Sequence, residues 1–392
     1  MVGSARSKAP GPRVLVVLDE SMGWLRGVLR GFTEVARARN WTLLHYHAPA
    51  DVRWLVELFG PKAVVMQGAP KRDAAEVLSS CTVVSVNDDQ STNGMASICL
   101  DERKIGELAA VHLIEKGFRA LSTFRFNDET FAVSREQAFR ETATLQGARL
   151  VPGWWDQGTD PPRWAEVPSA FIGWLLGLPR PCGVFACTDR WSSVVARYAH
   201  LAGVRIPEDI ALIGVDNDIL DCELSSPPLT SVAVPWRSMG AQAATLVGQA
   251  LSGLEIAGQR MVISPVGVVP RRSTDVTVVD DPVVARAISW IRERVDRPLT
   301  LQSIARASSC SRQRLEHRFR AAIGRTVMQE ARRARVEVAR RLLSTTDLPL
   351  PSVARQCGFT SAVQLCVGFR RETGMPPGAY RRLCRGLSTS DE

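Results

Sequence analysis

The chain has 392 residues, 45% of them hydrophobic and 23% charged, and a formal net charge of +9. These values describe a globular protein of two or three domains and exclude a disordered chain, a collagen-like chain and a coiled coil. No apolar run approaches the ~20 residues that a membrane-spanning helix needs. The charge is unevenly placed. Residues 282–392 hold 21 arginines, no lysine and 9 acids, a balance of +12; residues 1–281 hold 28 basic and 31 acidic residues, a balance of −3. A slightly acidic body is therefore joined to an arginine-rich module, and the planar guanidinium fork suits phosphates and guanine edges better than an ammonium does.

In chain order, residues 1–12 read as a disordered polar tail, and the run VLVVL after it is too short for a signal-peptide core. From residue 13 short β-branched runs alternate with amphipathic stretches. The runs are Val14–Leu18, Trp41–Tyr46, Ala63–Gln67, Val83–Val86, Leu121–Phe124, Gly183–Cys187 and Ile210–Val215. Between them lie helical patterns over Leu25–Arg39, Asp101–Lys116, Ser134–Gln146, Ser192–Ala202 and Trp236–Leu251. This alternation predicts α/β units with parallel sheets and helices on both faces, and their number predicts two lobes within 13–270.

Ligands of open α/β sheets sit beyond the carboxyl ends of the strands. Ser21, Trp24 and Arg26 follow the first run; Asn87 and Asp88 follow the fourth. Arg135 opens a helix, Thr188, Asp189 and Trp191 follow Cys187, and Asp216 follows Val215. Carboxylates, amides and arginine bond ring hydroxyls while an indole covers a sugar's apolar face, so these residues form a candidate sugar site. Taken singly, many such residues are ordinary helix N-caps. GxGxxG, GxxxxGK[ST] and GxSxG are missing, so no enzyme and no cofactor is expected. The rival reading is a carbohydrate-acting enzyme with a basic tail, because strand-end carboxylates also serve acid–base work. Nine cysteines without a CxxC pair read as free thiols in a reducing, cytoplasmic compartment. His45 and His47 lack a third ligand nearby and read as structural, so no metal is expected.

After a linker at 271–281 the basic module spans 282–386, with a second disordered tail at 387–392. A helical lead-in over 282–297 precedes LTLQSIARASSCSRQRLEHRFRAAIG. Thr300 caps a short helix, a turn of small residues follows, and Ser311 caps a second helix that Gly324 ends. Leu315, Phe319 and Ala322 are expected to face inward. Arg312, Gln313, Arg314, Glu316, His317 and Arg320 remain for a major groove. The plan recurs over 350–374, with Val353-Ala354 in the short helix and Ser361, Val363 and Gln364 opening the second; an amphipathic stretch at Val327–Leu343 bridges the copies. Two such helices on one bridge match successive major-groove turns about 34 Å apart.

Residues 282–385, closing with GFRRETGMPPGAYRR, resemble the AraC-type DNA-binding domain. IGELAAVHLIEKGFR, SREQAFRE, and VFACTDRWSSVVARYAHLAGVRIPEDIALIGVDND with SSPPLTSV resemble the periplasmic-binding-protein-like sensor of LacI/GalR regulators. That domain order resembles the xylose-operon regulator (XylR-like) family. The resemblance implies a two-lobed α/β sugar sensor fused to an all-α domain with two helix-turn-helix units. It implies a homodimer on double-stranded DNA, gated by a monosaccharide, pentose favoured, bound between the lobes. Arg135 and Asp216 would bind sugar hydroxyls, and Asp189 takes the position of a strand-end Asp, with Thr188 where the family has Asn. Base contacts would fall on Gln313, Glu316 and His317, and on Ala362, Val363 and Gln364. Val367 stands where an arginine is usual, so the second unit is expected to give mainly phosphate contacts and apolar contact with thymine methyls.

Overall fold

The computed structural model describes residues 11–19, 23–47, 51–68, 74–86, 95–126, 129–156, 169–276, 278–279 and 281–384. The first elements are β1 (Arg13–Val17), α1 (Gly23–Ala38), β2 (Thr42–Tyr46), α2 (Val52–Phe59), β3 (Ala63–Gln67), α3 (Ala75–Leu78), β4 (Thr82–Val86) and β5 (Ala96–Leu100). There follow α4 (Glu102–Glu115), β6 (Ala120–Phe126), α5 (Thr130–Leu145), β7 (Arg149–Leu150), β8 (Trp154–Asp156), α6 (Ser169–Gly177), β9 (Cys182–Ala186), α7 (Asp189–Leu201), β10 (Ile210–Asp216), α8 (Ile219–Leu224) and β11 (Thr230–Ala233). Then come α9 (Trp236–Leu251), β12 (Arg260–Ile263) and β13 (Gly267–Val269). The helical remainder is α10 (Pro282–Arg292), α11 (Leu301–Ala307), α12 (Arg312–Ile323), α13 (Val327–Thr345), α14 (Leu350–Gln356), α15 (Ala362–Thr373) and α16 (Pro377–Cys384). Among the described residues, no helix is long and apolar enough to cross a membrane.

The chain forms two compact units, one from residues up to 101 with 235–264, the other from 102–234 with 265–384. The first unit holds a six-stranded parallel sheet in the order β12-β5-β4-β3-β1-β2. Its central strands are nearly continuous apolar runs, as strands buried on both faces must be. Helices α1 and α9 pack backbone to backbone: a Cβ on Gly31 would fall 1.8 Å from the Arg237 carbonyl oxygen, and one on Gly240 would fall 1.9 Å from that of Val28. Residue 12, expected in a disordered tail over 1–12, is tied to β2 because the Pro12 carbonyl accepts the Thr42 amide at 3.0 Å, while residues 1–10 of that expectation lie outside the described residues.

The second unit carries the sheet β13-β11-β10-β9-β6-β7, with β8 also on β6; every pairing is parallel except β13 with β11. Here the expected linker is corrected. Arg271, Ser273 and Thr274 are buried, and they bind the sheet through Thr230 and the Leu212 carbonyl. Val278 is held too: it donates its amide to the Lys116 carbonyl at 2.8 Å, an approach that a Cβ on Gly117 (φ +95°) would block.

The same unit contains the arginine-rich helices. Asp281 caps α10, with Pro282 in its first turn, and also holds Arg318 of α12 at 2.5 and 2.8 Å. Two apolar cores flank α13: Val327, Ala331 and Ala334 close over α10–α12, while Val336, Ala339 and Leu343 close over α14–α16. The second core also takes in Ala233 and Val269 from β11 and β13. Ala322 is exposed, contrary to expectation, because Leu315 and Phe319 already fill the inward face of α12.

Candidate functional site

On α4, Glu102 and Gly106 stand one turn apart on one face. A Cβ on Gly106 would lie 2.2 Å from the Arg135 carbonyl oxygen, so the missing side chain lets α5 close onto α4. That approach brings the Arg135 Nε to 2.5 Å from Glu102 Oε2, with side chains only 2% and 6% exposed. Nη1 donates to the Cys187 carbonyl at 2.7 Å, and the guanidinium carbon lies 4.8 Å from the ring centre of Phe131, one turn back on α5. Nη2 has no hydrogen-bond partner among the described residues, which leaves a directed cationic donor. Burial alone would lower the Arg135 pKa, but Glu102 and Asp216 outweigh it and hold the guanidinium above its ordinary value. Phe131 in turn stacks on the buried Trp191 at 6.2 Å, and Phe126 makes a T-shaped contact with the same indole at 6.2 Å.

Asp216 ends β10 with φ +108°, followed by Asn217 at +54°, two consecutive residues in a backbone region that costs non-glycine residues energy. The turn is held from outside. Asn217 donates its amide to Ser231 Oγ at 2.9 Å, and its side-chain oxygen accepts from Arg271 Nη2 at 2.8 Å. Burial, opposed by Arg135 and reinforced by Asp189 and Glu102, raises the Asp216 carboxyl well above the usual range.

Asp189 lies beneath the Asp216 turn. It is fully buried at the start of α7, where Oδ2 accepts from the Asp218 amide at 2.9 Å and from Cys222 Sγ at 3.3 Å. A Cβ on Gly214 would fall 2.3 Å from Oδ1. Shut away from solvent, Asp189 braces the 216–218 turn through Oδ2, while Oδ1 is buried without a hydrogen-bond partner among the described residues; burial pushes its pKa up to about 7 against the hydrogen bonds it accepts. Thr188 is an N-cap, accepting the Trp191 amide at 3.1 Å.

In the first unit, Trp24 is half-buried with its ring 4.8 Å from Trp236, while Arg26 is exposed beside Arg30, Thr33 and Arg37. Two residues apart on one helix, they point to different sides of it. Ser21, Asn87 and Asp88 lie outside the described residues. Sequence reasoning missed Glu102 and Phe131; the one-turn spacing of Phe131 to Arg135 was the available signal. Among the described residues, no cluster of three or more His, Cys, Asp or Glu could hold a metal ion.

The arginine-rich helices present two equivalent faces. Ser311 and Ser361 cap α12 and α15, and Gly324 (φ +71°) and Gly374 (φ +80°) end them in left-handed turns. Gln313, His317 and Arg320 lie along one exposed stripe of α12; Val363, Val367 and Arg370 occupy the same places on α15. Val363 and Val367 are 72% and 66% exposed. Arg312, Arg314, Arg320, Arg370 and Arg371 are exposed and form no ion pair among the described residues. Glu316 is half-buried with Oε2 shielded and unpaired, which puts it at the rim of the face. Ser361 is exposed, but its hydroxyl is engaged as a cap by the Gln364 amide at 3.2 Å. Arg332 pairs with Glu372 of α15, and Arg335 donates to the Val295 and Arg297 carbonyls, so α13 spends arginines on holding both copies.

A sequence profile of the periplasmic binding protein-like domain matches residues 110–274, and one of a helix-turn-helix domain matches 304–383. The xylose operon regulatory protein of Escherichia coli K12 is 32% identical over 289 residues, covering 72% of this chain and 73% of that protein. Its counterpart in Haemophilus influenzae is 28% identical over 292 residues, covering 73% and 75%. The solved xylose-binding transcription activator XylR aligns at 27% identity with a TM-score of 0.60, covering 95% of this chain and 98% of that one. A LacI-type regulator from Alkaliphilus metalliredigens, solved with D-xylulofuranose, shares the fold at 17% identity and a TM-score of 0.57, covering 66% and 98%. With a sensor of one class and reading helices of the other in a single polypeptide, the chain belongs to the xylose operon regulators, sugar-responsive DNA-binding transcription regulators and not enzymes.

Proposed function

We propose that the effector is a pentose, D-xylose first, and that the regulator works in the cytoplasm as a homodimer on two half-sites. The observation that carries the sugar reading is the buried Arg135: Glu102 fixes the guanidinium, one donor is left unused, and Asp216 stands near with a raised pKa. Polyhydroxyl rings supply both acceptors for such a donor and donors for such a carboxylate. Phe131 and Trp191 offer the apolar wall. Asp189 acts as the brace of the Asp216 turn. In the module, Gln313 and His317 read base edges, Arg312, Arg314, Arg320, Arg370 and Arg371 contact phosphates, and Val363 and Val367 meet thymine methyls. The similarity to a xylose operon regulatory protein and to a xylose-binding activator supports xylose over other sugars.

The test is a thermal-shift panel of monosaccharides on the full chain, followed by calorimetry. A ligand that binds only the native state raises Tm in proportion to the logarithm of its excess over Kd. D-xylose is expected to raise Tm in the native chain and not in Arg135→Met. A hexose that binds more tightly would overturn the pentose assignment, and no shift with any sugar would overturn the site.

A further inference from the structure

Helix α4 begins at the sugar site and ends at the DNA-binding module. Glu102 lies in its first turn; its 14 residues span about 20 Å at the α-helical rise. At the far end, Lys116 Nζ is 2.9 Å from Glu337 Oε2 on the bridging helix α13, with side chains 3% and 19% exposed. Glu115 pairs with Arg333, one turn before Glu337. Between these ends His112 Nε2 meets Thr274 Oγ1 at 2.9 Å, and Thr274 meets Thr230 at 2.8 Å. Burial, with Lys116 close by, drives the His112 pKa down to about 3, so the imidazole is neutral and forms an uncharged rivet. A second connection runs through the sheet: Asp216 pairs in register with Ala233, which lies in the same apolar core as Val336 and Ala339 of α13.

An ion pair this deeply buried is costly to form and costly to break, so it holds two rigid helices in one relative position and resists intermediate ones. We infer that α4 is the element through which an occupied sugar site sets the placement of the DNA-reading helices, and that Lys116 paired with Glu337 fastens it to them. The pair is a positioning device: it touches neither sugar nor DNA. Opposite charges at its two ends make α4 a lever. Moving Glu102 with Arg135 moves Lys116, and α13, which holds both helix-turn-helix copies, must follow or break the pair.

The test uses the full chain, D-xylose as the probe and a DNA site selected from a random-sequence pool. Xylose affinity is read by calorimetry, and DNA affinity by anisotropy with and without saturating xylose. The native chain is expected to change its DNA affinity by roughly 5- to 150-fold on adding xylose. In Lys116→Met/Glu337→Leu, which removes both charges together, xylose affinity should stay within about twofold while that ratio falls to within about twofold of one. Native-like xylose binding with an undiminished ratio overturns the inference. Hydrogen exchange on the native chain gives an independent reading should the variant not fold. Xylose is expected to alter protection over 110–117 and 333–341, and unchanged protection in both overturns the inference. It rests on the sugar-responsive reading, but the two fail separately: xylose binding by the native chain tests that reading, and the variant's ratio and the exchange pattern test this one.

Discussion

Replacing Arg135 with methionine and Glu102 with leucine, singly and together, probes how the proposed sugar site is built. The two side chains are 2% and 6% exposed and 2.5 Å apart, so neither charge can be rehydrated when the other is lost. Removing one partner of such a pair costs about 3–5 kcal/mol. In a unit of this size that lowers Tm by roughly 6–20 °C. Removing both leaves an apolar contact between α4 and α5, and the double variant should recover about 2–3 kcal/mol relative to the sum of the singles. Urea and thermal melts followed by tryptophan fluorescence read this directly, since Trp191 is buried beside Phe131. Calorimetry reads the functional half. Arg135→Met loses a charge-assisted hydrogen bond of about 1.5–3 kcal/mol, roughly 10- to 150-fold in sugar affinity. Glu102→Leu should weaken binding less, because the donor persists but is no longer aimed. Singles that add within about 0.5 kcal/mol would refute the coupling of the two residues.

Asp189 gives a pH signature. Its folded pKa of about 7 lies above the ordinary 3.8 of an unfolded aspartate. The stability it contributes is therefore fully present below the unfolded value and is lost as pH rises through 7. Asp189→Asn should accordingly gain on the native chain between pH 5 and pH 8, on the order of 2–4 kcal/mol, as read by denaturant melts across that range; a difference independent of pH would count against burial of an ionisable brace. Gln313→Ala and His317→Ala should each cost ~1–3 kcal/mol of discrimination at the base pairs they face, as read by competition with substituted sites. Equal loss on specific and random DNA would remove α12 as the reader. Val367→Arg restores a cation on the exposed stripe of α15 and should steepen the slope of log affinity against log salt by about 0.9. An unchanged slope would place that stripe away from the backbone.

Much of the fold was legible because parallel strands buried on both faces announce themselves as apolar runs: Ala63–Gln67 was read to the residue, as was the helix Trp236–Leu251. Strand β12 was missed because RMVI is four residues long and opens with arginine, and it exists only through its pairing with β5. The helix-turn-helix units were marked by their own chemistry, since Thr300 and Ser311 stand where a hydroxyl caps the start of a helix and Gly324 and Gly374 where a left-handed turn ends one. The proposed sugar site was half legible. Arg135 and Asp216 were marked by their places beside strand ends and again by the family resemblance, whereas Glu102 is one of three glutamates on α4 until α5 is folded against it. Asp189 carried the right residue type for a ligand contact, and only its burial reveals a brace. Lys116 and Glu337, 221 positions apart, carry no local signal, and the linker looked irregular because Arg271, Ser273 and Thr274 find their partners in distant strands.

The most direct test of a sugar-gated DNA regulator is the affinity of the full chain for a selected DNA site, measured at fixed salt across a D-xylose titration. The expected result is a saturable change of roughly 5- to 150-fold, with a midpoint that matches the calorimetric sugar affinity and vanishes in Arg135→Met. DNA affinity that stays constant while the sensor is saturated with xylose would contradict it.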